Sequence, residues 1–320
     1  LQAPVFLILG SGLTLFLVFL ARPLIGVVLA LFWAPFFLFP VELYLYAFPL
    51  SEVLLYLTFF AWTIRKALLR REEAKSTRKW FYSLSAVDWI ALIYVFLGLF
   101  AYIVSEIKDP AVTELRVLFL QPLIYFFLLR AVLVTRRSRE ILVASFVCSG
   151  MMVAGLGIIM FVLGQGIITA EGGTFRLASV YGSPNNLALY LERCLPFAIA
   201  LLFAVSGSRA RVVLALVTVT ILAVLVLTQS VGALLLGLPA SLLVFALLQY
   251  GRRSFRYLIP GAFILFVAGM LLMLFVPRLS GVWDLSRDTN FLRLRLWESS
   301  VDIIAEHPVD RKSTRLNSSH

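Results

Sequence analysis

Ten apolar runs dominate this chain, each near the length needed to cross the roughly 30 Å hydrocarbon core of a bilayer. They lie near residues 3–21, 24–40, 50–68, 84–104, 114–134, 141–163, 184–205, 211–227, 230–249 and 258–276. Hydrocarbon holds no water to satisfy backbone N–H and C=O groups, so runs of this length fold as helices. The expected fold is all-α, a polytopic transmembrane helical bundle of about ten spans. Composition agrees: 14% of residues are charged, against roughly 25% in a soluble domain. The second run contains Pro35 and Pro40 and is expected to be kinked or tilted.

Charge alternates along the connections. Arg65, Lys66, Arg70, Arg71, Lys75, Arg78 and Lys79 follow the third run, Arg136, Arg137 and Arg139 the fifth, Arg209 and Arg211 the seventh, and Arg252, Arg253 and Arg256 the ninth. The positive-inside bias assigns these four connections to the cytoplasm. The others carry Glu42 and Glu52, then Glu106, Lys108, Asp109 and Glu114, then Glu171 and Arg176, then the mixed segment from Arg278 onward, and are expected to face outward. Topology thus accounts for the net charge of +11, and nucleic acid has no place among the partners. Cys148 and Cys194 both sit within apolar runs, a spacing that suggests neither a metal site nor a disulfide. The chain starts at Leu1 with no basic leader, so its N-terminus is expected to be incomplete and not a secretory signal.

Three outward stretches carry polar chemistry. In the first, residues 171–196, a Gly-containing loop bearing Arg176 re-enters an apolar run through Ser183, Pro184, Asn185 and Asn186. Ser183 is expected to cap the helix and Pro184 to occupy its first turn. A cation and an Asn pair at a positive helix end suit an anion, though many such loops are only solvated connectors. The second is the turn Thr228, Gln229, Ser230, Val231, Gly232. The third, 290–308, spaces Leu292, Leu296, Val301, Ile304 and Ala305 as an amphipathic helix with Trp297 at headgroup depth.

Arginine is the outward side's main resource: Arg176, Arg278, Arg287, Arg293 and Arg295. Guanidinium groups bind phosphate oxygens bidentately, which suits a phosphorylated lipid; contact with lipid headgroups alone is the simpler alternative. Within the seventh run, Glu192 and Arg193 point about 100° apart, so each needs its own partner, either in a polar seam between helices or at a substrate. Gly155, Gly157, Gly164 and Gly166 are candidates to loosen the sixth run, and Asp88, Glu114 and Arg116 lie where snorkelling at span ends suffices. No metal or nucleotide motif is present, so no metal site and no cofactor is expected. Residues 310–320 resemble translated sequencing-adapter sequence and are set apart from the membrane domain at 1–309.

Three segments together resemble the O-antigen ligase and polymerase superfamily: residues 175–188, the turn 228–232, and Arg293 to Trp297 followed by Ile304, His307 and Pro308. The resemblance spans nearly all of residues 1–309. It implies an inverting, metal-independent glycosyltransferase of the bacterial plasma (inner) membrane. Such an enzyme moves a glycan from undecaprenyl pyrophosphate to a lipid or glycan acceptor, and lipids surround it. By this likeness Arg176 and Arg293 would bind the pyrophosphate, with Asn185 and Arg295 beside them. Two departures stand out. The family's turn reads Ser-Arg-Gly where this chain has Ser230, Val231 and Gly232, and the family's catalytic His lies beyond the C-terminal truncation. No catalytic residue is therefore assigned, and this piece of the chain is expected to be inactive by itself. The alternative function is an anion transporter of bicarbonate type, with Glu192 and Arg193 on its path.

Overall fold

A computed structural model of the chain describes residues 5–43, 46–81, 85–169, 175–251 and 288–306. It is predominantly helical. The helices are α1 (Val5–Ala21), α2 (Pro23–Trp33), α3 (Leu50–Phe81), α4 (Ala86–Val104), α5 (Lys108–Glu114), α6 (Gln121–Val132), α7 (Arg136–Val162), α8 (Pro184–Ala204), α9 (Ser208–Leu227), α10 (Leu238–Tyr250) and α11 (Asp288–Glu306). Two short antiparallel hairpins complete the described elements. In one, β1 (Val41–Leu43) pairs with β2 (Tyr46–Phe48), and in the other β3 (Ile167–Thr169) pairs with β4 (Phe175–Leu177).

Five helices are long and apolar enough to cross a membrane: α4, the continuous helix Lys108–Val132 that contains α5 and α6, α7, α8 and α9. The chain is a helical membrane protein. The other expected spans differ in kind. Apolar helices at Leu9–Ala21, Pro23–Phe36 and Ala233–Leu247 are shorter, and the run at 258–276 lies outside the described residues. α3 has 32 residues, about 48 Å at 1.5 Å per residue, so the basic stretch after residue 64 continues the helix where a loop was expected.

Two helices contain a widened, π-type turn, and each has a proline as its cause. In Leu115–Leu120 the N–H of Gln121 reaches back five residues to Arg116, just before Pro122. In Ala233–Gly237 the N–H of Leu238 reaches Ala233, just before Pro239. Proline brings no N–H and its ring crowds the carbonyl four residues back, and the wider turn makes room for it.

The chain divides into two compact units. The first comprises residues 1–27, 54–134 and 285–320 and the second residues 28–53 and 135–284. Within the first, Arg65 donates to the carbonyls of Leu20, at 2.9 Å, and Ala21, capping α1 at its C-terminal end. Asp88, expected merely to snorkel, is fully buried and ion-paired with Arg130. It also accepts bonds from the Ser85 backbone N–H (2.7 Å) and hydroxyl (2.9 Å), which ties off the start of α4. Glu114 is exposed and Arg116 half-buried.

The second unit has one continuous core, built from α7, α8, α9 and the π turn, with Phe36 at its edge. Leu187, Leu191 and Cys194 of α8 pack there against Val153, Ile221 and Leu225. α7 runs unbroken through Gly155 and Gly157 to Val162, Gly157 letting Leu177 and Ser179 approach to 3.3 Å of a Cβ placed there, while Gly164 and Gly166 follow its end with φ of +68° and +60°.

Candidate functional site

The site grows from the hairpin β3–β4, which carries Arg176 into the interior of the second unit. Arg176 pairs across the hairpin with Ile168 and is only 7% exposed. Its Nε donates to the Thr228 carbonyl (2.9 Å) and a terminal NH2 to Asn185 Oδ1 (2.7 Å). The Ser230 hydroxyl donates to the same Asn185 oxygen (3.2 Å). Residues 52 and 9 positions away in sequence thus meet on one guanidinium. Two bonds in different directions fix the plane of a group that otherwise rotates freely.

Local sequence explains why the pieces reach one another. Pro184 opens α8, so Asn185 stands in its first turn. Ser183 is at the capping position in an extended conformation, but its side chain makes no capping bond, contrary to the expectation from the Ser-Pro pair. α9 ends at Leu227, and the Thr228 hydroxyl folds back on the Leu225 carbonyl (2.6 Å) while accepting from Ser230 N–H (3.3 Å).

Strain collects around the clamp. Ser179 and Gln229 have φ of +48° and +47°, a conformation costing a non-glycine residue about 1–3 kcal/mol. Each is held by its side chain, Ser179 to the Val153 carbonyl (3.2 Å) and Gln229 through Nε2 to the Phe175 carbonyl (3.2 Å). That bond orients the Gln229 amide, and its Oε1 is buried with no partner among the described residues. Tyr181 lies against Phe37 and Tyr190, each ring pair 5.7 Å apart. Burial pushes its phenol well above the usual range, so it stays neutral.

Deeper along α8, Glu192 is buried at 8% exposure while Arg193 is exposed. Glu192 faces Gly237, where an added Cβ would overlap its carboxylate. Asn185 meets Ser230 and Glu192 meets Gly237, so two segments running in the same direction touch at points seven residues apart in both.

The other expected site residues fall in the first unit. Arg295 is exposed, paired with Glu298 at 3.3 Å and 5.3 Å over the Phe291 ring, all within α11. Arg293 lies on α11 by its backbone, but its side chain, like Arg278, Arg287 and His307, lies outside the described residues. Thr228, Gln229 and Ser230 had no assigned role from sequence. The available signal was the Thr-Gln-Ser run itself, which is polar and sits between two apolar runs. Comparisons with protein-family models, curated proteins and solved structures find no match to this chain.

Proposed function

We propose that the chain is the membrane domain of a glycosyltransferase that moves a glycan from undecaprenyl pyrophosphate to an acceptor in the bacterial inner membrane. The observation that carries this reading is the meeting of Arg176, Asn185, Thr228 and Ser230 around one oriented guanidinium. A pyrophosphate leaving group gains negative charge as its bond to the sugar breaks. A cation already fixed in place stabilises that charge without reorganising. The buried Oε1 of Gln229, which has no partner among the described residues, calls for a hydrogen-bond donor, and a sugar hydroxyl would supply one. Arg293 and Arg295 are candidates for phosphate binding by the family resemblance alone. The general base for the acceptor hydroxyl is unassigned.

The test is reconstitution of the full gene product in vesicles with undecaprenyl-pyrophosphate-linked glycan and a lipid acceptor. Joined product is expected from the wild type. Arg176→Ala should abolish it at unchanged expression, and Arg176→Lys, which keeps charge but not the planar fork, should restore little. Undiminished product from both Arg176→Ala and Arg293→Ala would remove the reading.

A second reading is favoured by the two π turns and Pro196 inside α8. Interrupted helices line the substrate paths of many transporters, and uptake of labelled bicarbonate into protein-loaded liposomes would support anion transport instead.

A further inference from the structure

Glu192 poses a problem of satisfaction that the glycosyl-transfer reading does not use. Its Oε2 is buried with no hydrogen-bond partner among the described residues. Gly237 lies against this carboxylate. Pro196, four residues on, has no N–H, so the Glu192 carbonyl lacks its ordinary helical donor. Pro239 likewise withholds a donor from the turn Ala233–Gly237, whose last residue lies against the carboxylate.

Among the described residues no charged side chain forms an ion pair or hydrogen bond with Oε2 either. The π turn and α10 carry no ionisable residue before Tyr250. α9 has only Arg209 and Arg211, at its opposite end, and α7 has Arg136, Arg137, Arg139 and Glu140 near its start and Cys148 further along. On α8 itself Tyr190 donates to Ser149 (2.8 Å), Cys194 faces the Phe146 carbonyl, and Arg193 projects about 100° away. A buried carboxylate oxygen that meets no donor is satisfied by taking up a cation. One acid alone suits a single positive charge better than a divalent ion, which gathers several carboxylates.

We propose that Glu192, buried against Gly237, holds an exchangeable monovalent cation, a proton or Na⁺, within the membrane. The site stands independently of the glycan-transfer reading, since it shares no ligand with the Arg176 clamp.

Dicyclohexylcarbodiimide tests it, because this apolar reagent enters the bilayer and modifies carboxyl groups only in their protonated form. The full chain in lipid nanodiscs is treated across a pH series, in NaCl or in choline chloride, and adducts are mapped by peptide mass spectrometry. An adduct at Glu192 is expected, its rate falling about tenfold per pH unit once the proton is lost. Protection by NaCl but not by choline chloride identifies Na⁺ as an occupant, and a pH dependence without such protection identifies the proton alone. The proposal is overturned if Glu192 stays unmodified in nanodiscs while the detergent-unfolded chain is modified there, or if its labelling ignores both pH and Na⁺. Glu192→Gln, which keeps the shape, should remove the adduct while leaving any Arg176-dependent glycan transfer in place.

Discussion

Asp88 and Glu192 are both buried acids on apolar helices, and their surroundings are opposite. Asp88 on α4 is enclosed by its own solution: Arg130 neutralises it and Ser85 supplies two hydrogen bonds. Glu192 on α8 lies buried against Gly237, with one oxygen lacking a hydrogen-bond partner among the described residues. A buried charge with its partners in place is a structural element, whereas one lacking them keeps its cost until something exchangeable arrives. Burial alone therefore does not mark function, and the difference lies in what the surrounding groups can donate.

Removing the answer to Asp88 should have the largest effect. Arg130→Ala is expected to lower stability by about 2–4 kcal/mol, toward the low side for a broken buried pair because Arg130 is itself 38% exposed. The measurement is the thermal midpoint of the detergent-solubilised protein, and a midpoint equal to wild type would erase the contrast. Next comes Gly237→Ala, whose new methyl group displaces the Glu192 carboxylate at a cost of about 1–3 kcal/mol. The double variant Glu192→Ala with Gly237→Ala should recover much of that loss, and additive effects in the cycle would show that the two residues do not touch. Asn185→Ala removes the oxygen shared by Arg176 and Ser230 and should cost about 1–3 kcal/mol, more than Ser230→Ala in the same assay. The smallest effect belongs to Glu192→Gln, expected within about 0.5 kcal/mol of wild type because no paired charge is lost. A large destabilisation there would place Glu192 in the same class as Asp88.

The five long spans were legible because hydrophobic length is a property of consecutive residues, and so was the helical start at Pro184. The Arg176 clamp was legible only as three separate polar stretches. Its geometry depends on the 52-residue separation between Arg176 and Thr228 being closed by packing of α8 against α9, which no local pattern encodes. Asp88 was read as a snorkelling end group because its partner, Arg130, sits on a different helix. Ser85 and Asp88 nevertheless show capping-box spacing, three residues apart, so half of that answer was already written in the sequence. The basic stretch after the third run was read as a loop because charge signals the end of the hydrocarbon, whereas a helix ends only where its hydrogen bonding does.

The matched seven-residue spacing of Asn185 with Ser230 and Glu192 with Gly237 makes a two-pin lock. A slide of α8 by even one turn would pull both pins together, leaving an orphaned serine at one level and a side-chain collision at the other. The two levels of this unit therefore share a single axial coordinate, and a spectroscopic label placed at either would register a disturbance made at the other.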